Sequence, residues 1–187
     1  MINHMKKILF FDGDGTLWYP ESTKYAVKPH WVYLSPKTAS DPNKHLMLTP
    51  TAVTTIKLLR QKGIITVLLS THPRPSQEAS RILHEKVRHF CMSELFDEIH
   101  VTQPHESSKG EFMMEILTRR NIPKKDALMV GDTYEWDYAT AVRNGIDAVL
   151  IESQYQKEHP KGRNVRRTIS ALKDVLKYVQ LDQKRKL

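Results

Sequence analysis

The chain has 187 residues, 40% of them hydrophobic and 27% charged, and a formal net charge of +8. That size suits one compact domain, able to bury about 70% of its unfolded surface without disulfide or metal staples. Cys91 is its one cysteine, which excludes an intrachain disulfide and a cysteine zinc cluster, and no window reaches the ~18 apolar residues of a membrane span.

In chain order, the first element is Ile8-Leu9-Phe10-Phe11, a continuous apolar run expected of a strand buried on both faces. It falls short of the ~7–15 apolar residues of a secretory signal, so a cytoplasmic protein is expected. Trp18 to Leu48 is irregular and holds Pro20, Pro29, Pro36 and Pro42 together with Trp31 and Tyr33. Long loops in compact domains are usually functional, and an enlarged flap is expected at about 18–48. Its aromatic residues read as packing that pins the flap, or as an apolar wall for a ligand.

Thr49-Pro50 reads as the cap and first position of a helix whose core face is Val53, Ile56 and Leu59, with Gly63 as its left-handed stop. A second strand follows in Ile64-Ile65-Thr66-Val67-Leu68-Leu69, and Cys91 beyond it reads as a small buried residue. Glu98-Ile99-His100-Val101 is the third strand, followed by a helix starting near Lys109 with Phe112, Met113, Ile116 and Leu117 inward. Ala127-Leu128-Met129-Val130 is the fourth strand, then a helix runs from about Tyr134 to Arg143 and stops at Asn144-Gly145. Ala148-Val149-Leu150-Ile151 is the fifth, and Ile169, Leu172, Val175, Leu176 and Val179 predict a final amphipathic helix. Strands alternating with helices predict an α/β fold of three layers, a Rossmann-like parallel sheet covered on both faces. The basic runs Lys157 to Arg167 and Lys184-Arg185-Lys186 read as a solvated loop and terminus, and no aromatic residues interleave with either run to make a base-stacking platform.

Ligands of open parallel sheets bind beyond the carboxyl ends of the strands. There the first strand delivers Asp12-Gly13-Asp14-Gly15-Thr16, the second Ser70-Thr71 and the fourth Gly131-Asp132-Thr133, while Lys109 follows the third. Asp12, Asp14 and Asp132 form a set of hard oxygen donors suited to Mg2+, and like charges so placed need a cation between them. Asp12 suits a carboxylate nucleophile for phosphoryl transfer, and Asp14 an acid and base for the leaving oxygen and then for water. Gly13 lets the backbone approach a phosphoryl group, Ser70 offers a hydroxyl, and Lys109 is a point charge for a phosphoryl oxygen.

Asp12-Gly13-Asp14-Gly15-Thr16-Leu17, Ser70, Lys109 and Gly131-Asp132-Thr133-Tyr134-Glu135-Trp136-Asp137 resemble, in order, the four motifs of the haloacid dehalogenase (HAD) superfamily. The likeness spans about Ile8 to Ile151, and Asp14 resembles the second aspartate that marks the superfamily's phosphatases. It implies a Mg2+-dependent phosphomonoester hydrolase acting through an aspartyl-phosphate on Asp12, with Asp14 as general acid/base. It further implies Asp12, Asp132 and the Asp14 backbone carbonyl on the metal, Ser70 and Lys109 on the phosphoryl group, and Asp137 in the metal's surroundings or orienting Lys109. The second motif often reads Ser/Thr-Asn; here it reads Ser70-Thr71-His72, so either Ser70 or Thr71 is the phosphate ligand. His72 and Arg74, at the mouth of the site, read as leaving-group contacts or as solvated loop.

Neither inter-motif gap holds a separate cap domain, which points to the capless class, and Thr16-Leu17-Trp18-Tyr19-Pro20 is similar to the eukaryotic magnesium-dependent phosphatase-1 group. An open site admits a phosphoprotein, a sugar phosphate or a phosphorylated nucleic-acid end, on a monomer or homodimer. The alternative is an inactive HAD-fold module that binds nucleic acid or another anionic partner.

Overall fold

A computed structural model of the chain describes residues 4–22, 32–33, 35–104, 108–152 and 165–181. Trp31, Lys157, Lys161, Arg163 and the Lys184-Arg185-Lys186 run lie outside them. Ten strands are numbered in chain order: β1 His4–Met5, β2 Ile8–Phe11, β3 Trp18–Pro20, β4 Leu46–Leu48, β5 Ile65–Thr71, β6 Glu98–Thr102, β7 Ala127–Gly131, β8 Asp147–Ile151, β9 Thr168–Ile169 and β10 Gln180–Leu181. The α-helices are α1 Ala52–Gln61, α2 Ser76–His89, α3 Lys109–Arg119 and α4 Thr140–Arg143.

Six strands form one parallel sheet in the order β6-β5-β2-β7-β8-β9. In sequence rank this is 3-2-1-4-5-6, the doubly wound order, whose direction reverses between β2 and β7. That reversal opens a crevice beyond the carboxyl ends of those two strands. Side-chain alternation along β2 feeds two cores. Leu9 and Phe11 pack with Ile56, Leu59, Leu83, Val87 and Leu172 on one face, and Ile8 and Phe10 with Met113, Ile116, Leu117 and Ala141 on the other. The three-layer expectation is met.

Two boundaries and one burial differ from the sequence reading. The helix expected from Thr49-Pro50 begins at Ala52, with Thr51 left-handed at φ 68°. Thr49 is spent elsewhere, because its N–H donates to Leu17 O (2.8 Å) and its carbonyl accepts from Ala52 N (3.0 Å). At the other end Gly63 is left-handed as expected, with Gly63 N bonded to Arg60 O and Ile64 N to Leu59 O, a Schellman stop. The final helix is shorter than its apolar stripe. Ile169 leaves it to pair with Ile151 as a sixth strand, and a 3-10 helix over Leu172–Tyr178 buries Leu172 and Val175. A β-branched pair, Thr168-Ile169, is better housed at a sheet edge than in a helix. Cys91 is exposed, since it takes a left-handed turn (φ 53°) after α2 and not a core position.

The ends of the expected flap are paired, Trp18 with Leu48 and Pro20 with Leu46, as a two-stranded ribbon. Within it Thr38 Oγ1 donates to Val32 O (2.7 Å) and Tyr33 OH to Asn43 Oδ1 (3.1 Å). No helix among the described residues is long and apolar enough to cross a membrane.

Glu98 joins β6 to the end of α3 by accepting from Arg120 Nε (2.6 Å), from Arg119, and from His100 Nε2 (2.6 Å). Burial alone would raise its pKa, but these bonds outweigh burial and hold it at about 2. A depressed carboxylate stabilises the fold fully above its unfolded value of 4.5 and loses that contribution as pH falls toward about 2. Glu98→Gln is therefore expected to cost up to about 1 kcal/mol at pH 7, Arg119 being solvent-screened, and almost nothing near pH 2, as read by urea unfolding.

Candidate active site

The crevice between β2 and β7 receives side chains from four places. β2 ends one residue before Asp12, whose N–H donates to Val130 O (2.9 Å) and so holds the turn level with β7. β7 ends one residue before Asp132. Asp12 and Asp132 are both buried, 4% and 1% exposed. Lys109 opens α3, where Ser108 and Glu111 form a reciprocal capping box that fixes the first turn. Between Asp132 and α4 the chain makes a π-helical turn over Tyr134–Ala139, with Tyr138 N reaching back to Thr133 O (3.2 Å). This turn folds Asp137 inward, so that its Oδ2 accepts from Thr133 N (2.9 Å) and Thr133 Oγ1 (2.6 Å).

Lys109 is the hinge of the cluster. Its Nζ donates to Asp12 Oδ1 and to Asp137 Oδ1, the latter at 2.6 Å, and the residue is 2% exposed. Burial pulls the Lys109 pKa down, but the charges of Asp12 and Asp137 and their hydrogen bonds outweigh it and raise it above its ordinary value. The ammonium stays charged at every physiological pH.

Asp12, Asp132 and Asp137 each offer an oxygen within 4.8 Å of the others, and all three are buried. Three carboxylates against one lysine leave excess negative charge in a dry crevice, and an all-oxygen donor set fits a hard divalent cation such as Mg2+. Asp137 has both oxygens engaged, with Lys109 and with Thr133.

The structure places the remaining sequence candidates as follows. Asp14 turns away from the Lys109 cluster and accepts at Oδ1 from Lys86 Nζ (2.6 Å) and from Trp18 Nε1. Burial by itself would raise its pKa, but the Lys86 charge and these two bonds hold it below the ordinary carboxylate range. Ser70 and Thr71 lie inside β5 and not beyond it. The Thr71 hydroxyl is 2.9 Å from that of Thr102 on β6, whereas Ser70, one residue nearer the core, is 4% exposed. Gly13 is needed for a reason the sequence did not reveal: a Cβ there would sit 2.6 Å from the Trp18 ring. Its carbonyl also accepts from Leu17 N (2.8 Å), closing the turn.

Trp18 is fully buried and stacks on Phe90 with centroids 5.9 Å apart, so it packs beneath the turn and is no ligand wall. His72 is buried, with its N–H on Thr102 O (3.0 Å) and its Nδ1 accepting from Arg74 N (3.2 Å). Arg74 leans back on Glu78 at 3.5 Å. Sequence reasoning missed Lys86, which reads as one more lysine on a polar helix. The available signal was its place on the face of α2 that carries Ile82, Leu83 and Val87.

This doubly wound parallel α/β sheet carries a buried cluster of strand-end aspartates and a lysine at its switch point. The profile of the haloacid dehalogenase-like hydrolases matches residues 41–145, and the chain belongs to that family. No curated protein sequence matches it. Among solved structures it is similar to a haloacid dehalogenase-like family protein from Streptococcus pneumoniae, with TM-score 0.68 and 15% identity over 94% of this chain and 99% of that one. A HAD phosphatase from Thermococcus onnurineus gives TM-score 0.65 and 18% identity over 93% and 97%. A predicted phosphoglycolate phosphatase from Haemophilus somnus 129pt gives 0.66 and 17% over 94% and 98%. At these identities the likeness is one of fold.

Asp137→Asn takes one of its two carboxylates from buried Lys109, which keeps Asp12. It is expected to cost about 1–3 kcal/mol by denaturant unfolding, less than the ~3–5 kcal/mol of a fully stranded charge. Thr133→Val, which removes one neutral donor to the same carboxylate, is expected to cost about 1–3 kcal/mol.

Proposed function

We propose that the chain is a Mg2+-dependent phosphomonoester hydrolase that works through an aspartyl-phosphate on Asp12. The observation that carries this reading is the buried Asp12–Lys109–Asp137 bridge beside Asp132 at the carboxyl edge of β2 and β7. An inactive scaffold for an anionic partner has no need to sustain such a charge cluster. Most of the net positive charge, moreover, falls on residues outside the described structure. The phosphatase descriptions of two structural neighbours are consistent with the same chemistry.

Asp12, Asp132 and the Asp14 backbone carbonyl would hold the metal. When bound it supplies charge neutralisation for the carboxylates and the phosphoryl oxygens. Lys109, fixed by Asp137, keeps a positive charge beside the Asp12 carboxylate and faces the phosphoryl group entering the crevice. Ser70 offers its hydroxyl to that group, a role for which Thr71 is the less suitable because its own hydroxyl meets Thr102. The Gly13 N–H is a further donor. An Asp12 oxygen attacks phosphorus as the ester bond breaks, and the proton of Asp14 passes to the leaving oxygen. Water then attacks the acyl phosphate and gives its proton to Asp14, releasing inorganic phosphate and restoring the Asp12 carboxylate and the Asp14 acid. Near-complete placement of these groups before substrate arrives is what phosphoryl transfer chiefly requires.

The paired β3–β4 ribbon in place of a separate cap supports a single domain of the capless class, and its Trp18-Tyr19-Pro20 strand supports the likeness to the magnesium-dependent phosphatase-1 group. A capless site would suit bulky phosphorylated substrates: a phosphoprotein, a sugar phosphate or a nucleic-acid phosphate end. The lone cysteine is compatible with a cytoplasmic setting.

With p-nitrophenyl phosphate and Mg2+, Asp12→Asn is expected to abolish turnover, and Asp132→Asn to lower it by at least ~100-fold as electrostatic support for the phosphoryl group is lost. Chelation is expected to stop the reaction and added Mg2+ to restore it. Turnover that survives Asp12→Asn, or that persists in chelator, sinks the mechanism. In the same series Mg2+ is expected to raise the unfolding temperature of the unaltered chain and not that of Asp132→Asn.

A further inference from the structure

A cavity of about 460 Å³ lies between α4 and the start of β8. Tyr138, Val142, Ile146 and Ala148 line it with apolar surface, and Asp147, Arg166 and Arg167 form a charged wall. Strand β8 runs parallel to β7, and β7 to β2. Asp147 therefore marks the amino edge of the sheet, whereas Asp12 and Asp132 stand at its carboxyl edge. No step of the proposed hydrolysis uses a residue of this cavity.

The charged wall is not balanced. Asp147 accepts at Oδ2 from buried Lys6 Nζ (2.6 Å) and pairs at Oδ1 with Arg167 (2.7 Å), so both its oxygens are engaged. Asp126, the other acid that acts on Lys6, is met by Lys7 at 3.2 Å. The Arg166 side chain is exposed and forms no ion pair among the described residues, while its backbone N–H donates to the Tyr138 hydroxyl (2.7 Å). Lys6, Lys7, Arg166 and Arg167 thus stand against Asp126 and Asp147 alone, an excess of positive charge beside an apolar floor.

We propose that this cavity is a second ligand site, for a small phosphate monoester or phosphonate that carries an apolar body. The body rests on Val142 and Ile146, and the dianion lies between Arg166 and Arg167. A guanidinium has five N–H donors in a planar fork that matches phosphate oxygens, and Asp147 engages only part of that of Arg167. The same carboxylate and the Tyr178 ring, 5.9 Å from the guanidinium carbon, hold Arg167 in place before a ligand arrives. Sites for small molecules commonly enclose ~300–1,000 Å³ of largely apolar surface with a few convergent polar groups. Inorganic phosphate alone leaves the apolar floor uncovered, and a neutral molecule leaves the arginines uncompensated. A ligand with both parts answers both.

The test is calorimetric titration with phenylphosphonate, which has no ester bond to hydrolyse, in the presence of chelator. Without a divalent cation the crevice sets the carboxylates of Asp12, Asp132 and Asp137 against Lys109 and repels a dianion, so the titration reads the cavity and does not depend on the hydrolase reading. One equivalent is expected to bind. Arg166→Glu is expected to weaken it at least ~10-fold, the scale of a hydrogen bond to a charged group, and Val142→Trp, which fills the cavity, to do the same. Lys57→Glu makes the same change of charge on the exposed side of α1 and is expected to leave binding within about 2-fold, which separates the site from general attraction of anions. Inorganic phosphate and benzyl alcohol are each expected to bind at least ~10-fold more weakly than phenylphosphonate. Arg166 and Val142 are exposed, so both variants are expected to unfold at the temperature of the unaltered chain. No binding by the unaltered chain, or binding that either Arg166→Glu or Val142→Trp leaves intact, overturns the site; phosphate binding as tightly as phenylphosphonate overturns the ligand class.

Discussion

One buried ammonium holds the crevice together. Lys109 bridges Asp12, at the end of the first sheet strand, to Asp137, in the turn after the fourth, and it enters from the first turn of a helix capped by Ser108 and Glu111. Three carboxylates whose oxygens lie within 4.8 Å of one another repel. Lys109, placed between two of them, offsets part of that repulsion and holds them in place. The π-helical turn that precedes α4 follows from this arrangement, because it is the local fold that brings Asp137 back against Thr133 and the lysine.

A second lysine does the corresponding work for the second aspartate. Lys86 comes from α2, on the other side of the sheet from α3, and meets Asp14 where Asp14 has turned away from the first cluster. The two aspartates of the Asp12-Gly13-Asp14 turn are thus addressed separately, one by each lysine. Gly13 makes this possible by leaving room for the Trp18 ring, which packs under the turn and donates to Asp14 from below. The flap and Asp14 are thereby joined through shared contacts, since Trp18 begins the flap ribbon and Tyr33 lies over Lys86.

The sheet and the identity of its strand-end residues were legible in the sequence, because a strand buried on both faces announces itself as an unbroken apolar run. Ile8 to Phe11 and Ala127 to Val130 are such runs, and the aspartates that end them stand out against them. What the sequence concealed was direction. Asp12 and Asp14 are spaced to share one side of an extended chain, yet the turn sends them to different lysines. Ile169 fits a helical stripe with Leu172 and Val175, and only the free edge of β8 reveals it as a strand. Lys86 was harder to see: on a helix whose remaining basic residues meet solvent, its place on the face of Ile82, Leu83 and Val87 was the one mark of its inward direction. The start of α3 near Lys109, by contrast, was legible in the sequence, and the structure adds the Ser108–Glu111 capping box that fixes it.

The phosphoenzyme is the most direct witness to this chemistry. Acid quenching during turnover of p-nitrophenyl phosphate, borohydride reduction and peptide mass spectrometry would convert an acyl phosphate on Asp12 into homoserine. The expected result is homoserine at position 12 in the unaltered chain, dependent on Mg2+ and accumulating further when Asp14→Asn slows attack by water. Steady turnover with Asp12 recovered only as aspartate, or with the acyl phosphate on a different residue, would contradict it.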